Sequence, residues 1–220
     1  MKTVIVGSRR VRAGLAALLL ALAPALVGCG GGGKTPTDST VGGTDAAAGG
    51  TDAAAAGPVV VMETTLGDLV VQLDPVNMPI TTANFLAYVD SGFYDGTLIH
   101  RVVDDWVIQG GGYAPGLVPL TPMAPIPLET SPLVSHVHGA ISMARTMDPN
   151  SATSQWFIVD WPATGTPPQP MQLDGQYAAF GVLIEGFDVL EMITQVMTGT
   201  SGGLMDVPVT EIVVTAAYRR

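Results

Sequence analysis

The sequence has one cysteine in 220 residues and little positive charge, with nine Lys and Arg against nineteen Asp and Glu. A lone cysteine cannot form an internal disulfide, so the fold must depend on its hydrophobic core. We expect no nucleic-acid partner, because binding phosphates requires clustered cations and the formal charge here is −10. The chain also lacks a hydrophobic run long enough to cross a bilayer.

The N-terminal apolar run, Ala13 to Val27, is shorter than the roughly 20 residues that cross a bilayer. Four basic residues precede it, and the small-residue sequence Leu26-Val27-Gly28-Cys29 ends it, the order of an export signal. This ending resembles a bacterial lipobox, in which cleavage leaves the cysteine as a lipid-bearing N-terminus. We therefore predict a lipoprotein signal peptide at 1–28, lipidation at Cys29 and attachment to a membrane. Five basic and nineteen acidic residues remain after cleavage, a formal charge of −14.

Two alternatives stay open for this segment. Cys29 could be an unmodified thiol, although an unpaired cysteine is a liability in an oxidising compartment. The pair Arg9-Arg10 is compatible with twin-arginine export as well as general export. Gly30 is not the aspartate that in some bacteria signals retention in the inner membrane. We therefore expect a lipid-anchored protein on the exported side of the bacterial cell envelope, with the outer membrane or the periplasmic side favoured.

Residues 29–57 are almost entirely Gly, Ala, Thr, Asp and Ser, with an exact repeat of Gly-Gly-Thr-Asp-Ala-Ala-Ala at 42–48 and 49–55. Such a composition buries too little apolar surface to offset the entropy of ordering. We interpret it as a flexible linker after the lipidated cysteine. Residues 58–220 are then one domain, expected to be a monomer.

That domain opens with two β-like runs, Val59–Glu63 and Asp68–Leu73, on either side of Thr65-Leu66-Gly67. This order predicts a β-hairpin. Pro79 suits the first turn of a helix and Gly92 its C-terminal cap.

Short β-like runs recur through the rest of the domain, with a second helix near Asp188–Met197. The runs are Thr97–Val103, Trp106–Gln109, Gly139–Ala144, Gln155–Asp160, Tyr177–Leu183 and Val209–Ala216. Many short strands and two helices predict a mostly β fold, a closed antiparallel barrel of about eight strands capped by both helices. The proline-rich segment 113–132 is predicted to be an irregular loop.

Three sequence blocks carry a family resemblance. The first is Ile99-His100-Arg101-Val102-Val103-Asp104-Asp105-Trp106-Val107-Ile108-Gln109-Gly110-Gly111-Gly112. The second runs from Ile141 to Ile158 and contains Met143-Ala144-Arg145-Thr146 and Ser154-Gln155-Trp156-Phe157, and the third is residues 173–181. In this order they resemble the signatures of cyclophilin-type peptidyl-prolyl cis/trans isomerases, and the resemblance extends from about Val59 to the C-terminus.

The resemblance implies a fold, an activity and a set of site residues. The activity is acceleration of X-Pro bond rotation, here in exported proteins whose folding it assists, with no cofactor and no metal. The catalytic residues would be Arg101, Gln109 and Phe157. The residues that bind proline-containing peptide segments would be Trp106, Val107, Ala144, Arg145, Thr146, Gln155, Leu173 and Tyr177.

The chemistry of proline isomerisation agrees with this assignment. Rotation about an X-Pro bond breaks amide resonance and faces a barrier of roughly 18–20 kcal/mol, without needing a nucleophile or an acid–base pair. The prolyl nitrogen regains its lone pair in the twisted transition state, so a donor aimed at it binds that state more strongly than the planar one. Arg101 is such a donor, and its charge does not titrate.

Other interpretations of the same residues remain. The pocket could hold proline-containing segments without turnover, as a binding module, or the chain could be a passive envelope lipoprotein. Arg101 could be an ion partner of Asp104 or Asp105. His100, His136 and His138 invite a metal-site interpretation, but no carboxylate or thiolate is spaced with them as a ligand set.

The match to the family pattern has gaps. A two-residue turn at Asp104-Asp105 would pair residue 101 with 108, so a bulge or other loop geometry is needed to bring Arg101 beside Gln109. Ile99, Trp106 and Val107 stand where the family often has Phe, Phe and Met, which predicts a pocket floor of changed shape. Gln172 stands where many members have an aromatic residue that contributes to cyclosporin binding, so we predict weak cyclosporin binding.

Overall fold

The structure, a computed structural model, describes residues 57–161 and 173–220. The predicted signal peptide, Cys29 and the linker up to residue 56 lie outside the described residues, as do residues 162–172, which include Gln172. None of the helices within the described ranges is long and apolar enough to span a membrane.

Eight strands pair antiparallel around a closed barrel, which confirms the predicted fold class. In chain order they are β1 (Val59–Thr64), β2 (Gly67–Leu73), β3 (Thr97–Val103), β4 (Val107–Gly110), β7 (Ala140–Met143), β8 (Trp156–Val159), β9 (Ala178–Glu185) and β12 (Ile212–Arg219). Around the barrel the order is β1-β12-β3-β4-β8-β7-β9-β2. Closure leaves no strand edge of the barrel unpaired.

The first two strands form the predicted hairpin, with Val59 opposite Gln72 and Thr64 opposite Gly67. The Thr64 hydroxyl donates to the Gly67 carbonyl at 2.6 Å and accepts from the Leu66 backbone N–H at 3.1 Å, so one side chain closes the turn. Turn chemistry and apolar residues therefore act together here.

Two helices cover the barrel, α1 (Pro79–Asp90) and α2 (Phe187–Thr194). Pro79 occupies the first turn of α1 as predicted. The Glu129 carboxylate, 48 residues away from Thr81, accepts from the backbone N–H groups of Ile80 and Thr81 and so caps this helix end. Helix α2 ends earlier than predicted, because a further strand begins at residue 198.

The apolar residues of β4 and β8 alternate between two environments. Ile108 and Ile158 belong to the main core inside the barrel, whereas Val107 and Val159 belong to a second apolar cluster. Since successive side chains of a strand point to opposite faces, the second cluster lies on the outer face of the barrel wall. Phe157 belongs to this outer cluster as well.

Two short hairpins are additions to the predicted element list. The strands β5 (Tyr113–Ala114) and β6 (Val118–Pro119) pair within the segment predicted to be irregular, most of which is loop. The strands β10 (Thr198–Ser201) and β11 (Leu204–Pro208) precede β12, so the predicted strand start at Val209 was wrong.

The missed hairpin had a readable turn signal. Gly202 and Gly203 both have positive φ, at 58° and 82°, as a two-residue hairpin turn requires. Strand β10 is fully exposed and carries no large apolar residue, so no alternating pattern marked it.

Candidate active site

The register between β3 and β4 places Arg101 opposite Gln109. Their loop has three residues, not two: Val103 pairs with Val107, and the Trp106 N–H donates to the Val103 carbonyl at 3.1 Å. Asp105 lies in this three-residue loop and has a positive φ of 56°, a conformation that aspartate tolerates better than most residues. The pairing needed an added bulge or loop residue, and the loop provides it.

The three predicted catalytic residues form one row across the sheet. Gln109 lies opposite Arg101 on β3 and opposite Phe157 on β8. Three adjacent strands thus contribute one residue each, at the same level of the barrel wall.

A cavity of about 160 Å³ opens beside this row. Its lining residues are Arg101, Trp106, Val107, Gln109, Ala144, Arg145, Phe157, Leu173 and Tyr177. The apolar side chains of Val107, Phe157 and Leu173 form the floor of this cavity, and they are only 3%, 6% and 7% exposed. A cavity of about 150 Å³ is large enough for a ring such as benzene, so a prolyl ring would fit here.

A second cavity, of about 150 Å³, adjoins the first. Gln109, Ala144 and Arg145 line both cavities. The second cavity is completed by Thr146, Ser151, Thr153 and Gln155. Thr146 and Gln155 were predicted to hold the peptide around the proline and lie in this adjoining cavity, whereas Ser151 and Thr153 were missed.

The wall between the cavities is braced by side-chain hydrogen bonds. The Gln109 amide donates to the Gln155 side-chain oxygen at 2.9 Å. The Thr146 N–H and hydroxyl both lie within hydrogen-bond distance of the Ser151 hydroxyl, at 2.9 and 2.8 Å. Ser151 therefore shapes the second cavity by holding its loop closed.

The Arg101 guanidinium lies between an aromatic ring and a carboxylate. Its central carbon is 4.8 Å from the centroid of the Trp106 ring, and its Nε is 3.5 Å from the Asp206 Oδ2. The suggested ion partners Asp104 and Asp105 were wrong, since the carboxylate comes from β11, part of the missed hairpin. Asp104 instead accepts from the Gln195 side chain. Two neighbours of different kinds limit the orientations open to Arg101.

His136 packs against Phe157, one of the residues of the pocket floor. Its ring stacks on Phe157 with centroids 6.0 Å apart and planes 9° from parallel. The Nδ1 atom is 2.7 Å from an Asp174 carboxylate oxygen and Nε2 is 3.0 Å from the Ser142 hydroxyl. Both ring nitrogens thus have partners in the protein, and His136 orients Phe157.

Ile99 lies away from the pocket. It is 1% exposed, belongs to the main core and lines neither of the two cavities. The prediction that Ile99 changes the pocket floor was therefore wrong, whereas Trp106 and Val107 do line the pocket. The cause is the alternation of β3, whose register at Ile99 is shifted by a bulge before Arg101.

His100, next to Arg101 in sequence, is 5% exposed and packs against Tyr113 with ring centroids 4.7 Å apart. Burial lowers the pKa of His100 to about 4, and the positive charge of Arg101 contributes in the same direction. The imidazole is therefore neutral at pH 7 and adds no charge beside the guanidinium.

This low pKa predicts a pH-dependent stability. Between pH 6.5 and 4 the unfolded chain binds a proton at His100 that the folded chain does not, so stability falls as pH falls through this window. We expect His100 to account for a loss of roughly 3 kcal/mol. Urea unfolding of the soluble form, residues 29–220 with Cys29→Ser, would measure it at pH 7, 5.5 and 4.

His100→Gln is the control, because glutamine does not titrate and the other titrating groups stay in place. Its stability should fall less steeply with decreasing pH. Parallel curves for the two proteins would contradict the assignment to His100.

A closed eight-stranded barrel with an apolar pocket on its outer wall, edged by a guanidinium and an amide, defines the class of protein, and comparisons with known proteins agree. The family model described as cyclophilin type peptidyl-prolyl cis-trans isomerase/CLD matches residues 59–219. The chain is 42% identical over 159 residues to peptidyl-prolyl cis-trans isomerase cyp18 of Streptomyces antibioticus, covering 72% of this chain and 96% of that protein. It is 37% identical over 158 residues to peptidyl-prolyl cis-trans isomerase B of Escherichia coli K12, covering 71% and 96%.

Solved structures give the same result. The chain resembles the crystal structure of a cyclophilin type peptidyl-prolyl cis-trans isomerase from Cryptosporidium parvum, with a TM-score of 0.61, 28% identity and coverage of 74% and 97% of the two chains. The chain belongs to the cyclophilin family and is a peptidyl-prolyl cis-trans isomerase.

Proposed function

We propose that this isomerase is an exported lipoprotein that accelerates X-Pro rotation in other exported proteins and so assists their folding. The observation that carries the catalytic part is the row of Arg101, Gln109 and Phe157 beside an apolar cavity of about 160 Å³. The N-terminal sequence supports the cellular part.

In the proposed mechanism the prolyl ring occupies the cavity over Val107, Phe157 and Leu173. Burial of the ring leaves the X-Pro bond at the rim, where Arg101 donates to the prolyl nitrogen as it loses conjugation. The donor is worth more in the transition state because the planar amide nitrogen is a poor acceptor. Gln109, itself held by Gln155, positions the substrate backbone.

The required rate enhancement is within reach of such a site. Shortening X-Pro isomerisation from tens of seconds to milliseconds requires a rate enhancement of about 10⁴-fold, which corresponds to lowering the activation free energy by roughly 5–6 kcal/mol. A charge-assisted hydrogen bond together with exclusion of water is of this order. One related crystal structure, of the Cryptosporidium parvum isomerase, was determined in the presence of the dipeptide Ala-Pro, which supports a short X-Pro segment as the ligand of this pocket too.

Membrane attachment would come from Cys29, carrying a diacylglycerol thioether and, in many lipoproteins, an acylated amine. Two or more acyl chains hold a protein stably on a membrane. Residues 30–57 would link the anchor to the isomerase domain as a spacer, and the domain would act as a monomer on the exported side of the envelope.

The experiment that tests the anchor compares the full chain with its Cys29→Ser variant in a bacterial host fed radiolabelled palmitate. We expect the full chain to be labelled and to sediment with membranes, and the variant to be unlabelled. Equal labelling of both, or soluble and unlabelled full chain, would disprove the lipoprotein proposal while leaving the isomerase activity untouched.

A further inference from the structure

Arg145 stands on the wall between the two cavities and lines both. Any peptide that places its proline in the first cavity and a neighbouring residue in the second must cross this side chain. The position therefore bears on which residues flank the proline in a substrate.

Three contacts hold the half-buried Arg145 side chain in one orientation. Its Nε donates to the Gln176 carbonyl at 2.8 Å and its Nη1 donates to the Thr146 carbonyl at 2.8 Å. Its guanidinium carbon lies 4.7 Å from the centroid of the Tyr177 ring. A guanidinium has five N–H donors, so these contacts leave others available to a ligand.

The contacts orient Arg145 but do not neutralise its charge. Within the described ranges, Arg101, Arg219 and Arg220 each lie within 4.0 Å of a carboxylate, whereas Arg145 does not. Residues 162–172 contain no Asp or Glu that could supply one. A carbonyl and an aromatic face are weak counter-charges, so a full positive charge remains at the pocket rim.

The positive charge of Arg145 contrasts with the negative net charge of the rest of the chain. From Cys29 onward five basic residues stand against nineteen acidic ones, so the long-range field repels anions. Arg145 is the local exception, a fixed cation between the cavities with no carboxylate of the described residues within 4.0 Å. Within a peptide's reach it would select for a negative side chain.

We propose that Arg145 is a specificity-determining residue that binds a carboxylate of the substrate, so that segments with Asp or Glu within two residues of the proline are preferred. The inference rests on the proposed function, since it names the substrate class of the same pocket. Because the guanidinium is already oriented, a bidentate contact with the carboxylate would cost little ordering entropy.

The test uses the soluble form and peptides of the Ala-Ala-Pro-Ala-Ala type, with Glu or Gln placed in turn at each of the four positions within two residues of the proline. Exchange measured by NMR gives kcat/KM without a coupling protease. For at least one position we expect the Glu peptide to exceed its Gln counterpart by about 3- to 10-fold at low salt. The ratio should approach one in 0.5 M salt, because salt screens exposed charges.

Two substitutions at this residue and one elsewhere sharpen the result. Arg145→Gln should bring the Glu-to-Gln ratio to about one, and Arg145→Lys should retain part of it by keeping the charge. Arg219→Gln is the matched control, because it removes the same charge from a position paired with Asp90 on α1 and should leave the ratio unchanged.

A Glu-to-Gln ratio of kcat/KM of one or below at every position in the wild type would overturn the proposal. The isomerase assignment would stand in that case, provided that the Gln peptides are turned over. A preference that survives in Arg145→Gln would overturn the role of this residue. Absence of turnover with all peptides would instead defeat the proposed function, and this inference with it.

Discussion

Replacing Arg101 by alanine is expected to lower kcat/KM for X-Pro peptides by about 10²- to 10³-fold, the loss seen when one transition-state donor is removed from other enzymes. The donor acts on the prolyl nitrogen when resonance is broken, so the effect should fall mainly on kcat. Stability should change little, because the Arg101 side chain is 32% exposed and its ion pair with Asp206 is a surface one. Exchange NMR on a short Ala-Pro peptide would measure the rate.

The Arg101→Ala variant should also fail to accelerate the refolding of an exported protein whose slow phase is limited by X-Pro isomerisation. Arg101→Lys is the informative control, since it keeps the positive charge but loses the planar guanidinium that lies over Trp106. We expect it to recover less than a tenth of the wild-type rate. If Arg101→Ala kept full activity, the guanidinium would not be the catalytic donor. If the wild type bound proline peptides without turnover, the pocket would be a binding module.

Arg101 also illustrates how far sequence reasoning extends. The strands carrying Arg101 and Gln109 could be predicted from their apolar patterns, but their pairing could not, because it depends on one loop residue with a left-handed φ. Asp105 adopts that conformation without a glycine to signal it. A local backbone choice of this kind leaves almost no trace in composition.

Asp206 was unpredictable for a different reason. It reaches Arg101 from 105 positions away in sequence, on a hairpin whose first strand is fully exposed. Only packing of β11 against β3 brings the two residues together. Hydrophobic periodicity does not reveal polar partners that are distant in sequence. It did predict the strands of the barrel, whereas the residues of the pocket floor were predicted from the family resemblance.

Strand β8 contributes residues to both the pocket floor and the barrel core, and its residue Trp156 packs in the core. Trp156 is completely buried and lies between two site residues, Gln155 and Phe157. A Cβ atom at Gly110 would come within 2.7 Å of the Trp156 ring, and one at Gly111 within 3.0 Å. The ring therefore lies directly against the backbone at both glycines, which explains why side chains are missing there.

Truncating this ring should destabilise the fold strongly. Trp156→Ala is expected to lower the free energy of unfolding by about 3–5 kcal/mol, the transfer energy of the ring plus the cavity it leaves. Urea unfolding of the soluble form, followed by circular dichroism, would measure this. Because the backbone on either side of residue 156 positions Gln155 and Phe157, activity per folded molecule should fall as well.

Trp156→Phe separates loss of packing from loss of polarity. The indole Nε1 is buried and has no hydrogen-bond partner among the described residues, so phenylalanine removes an unsatisfied donor along with part of the ring volume. We expect a net cost below about 2 kcal/mol, well under that of alanine, with activity retained. Equal costs for the two variants would contradict the attribution to ring volume, because phenylalanine keeps most of that volume and the indole Nε1 has no partner among the described residues whose loss could explain them.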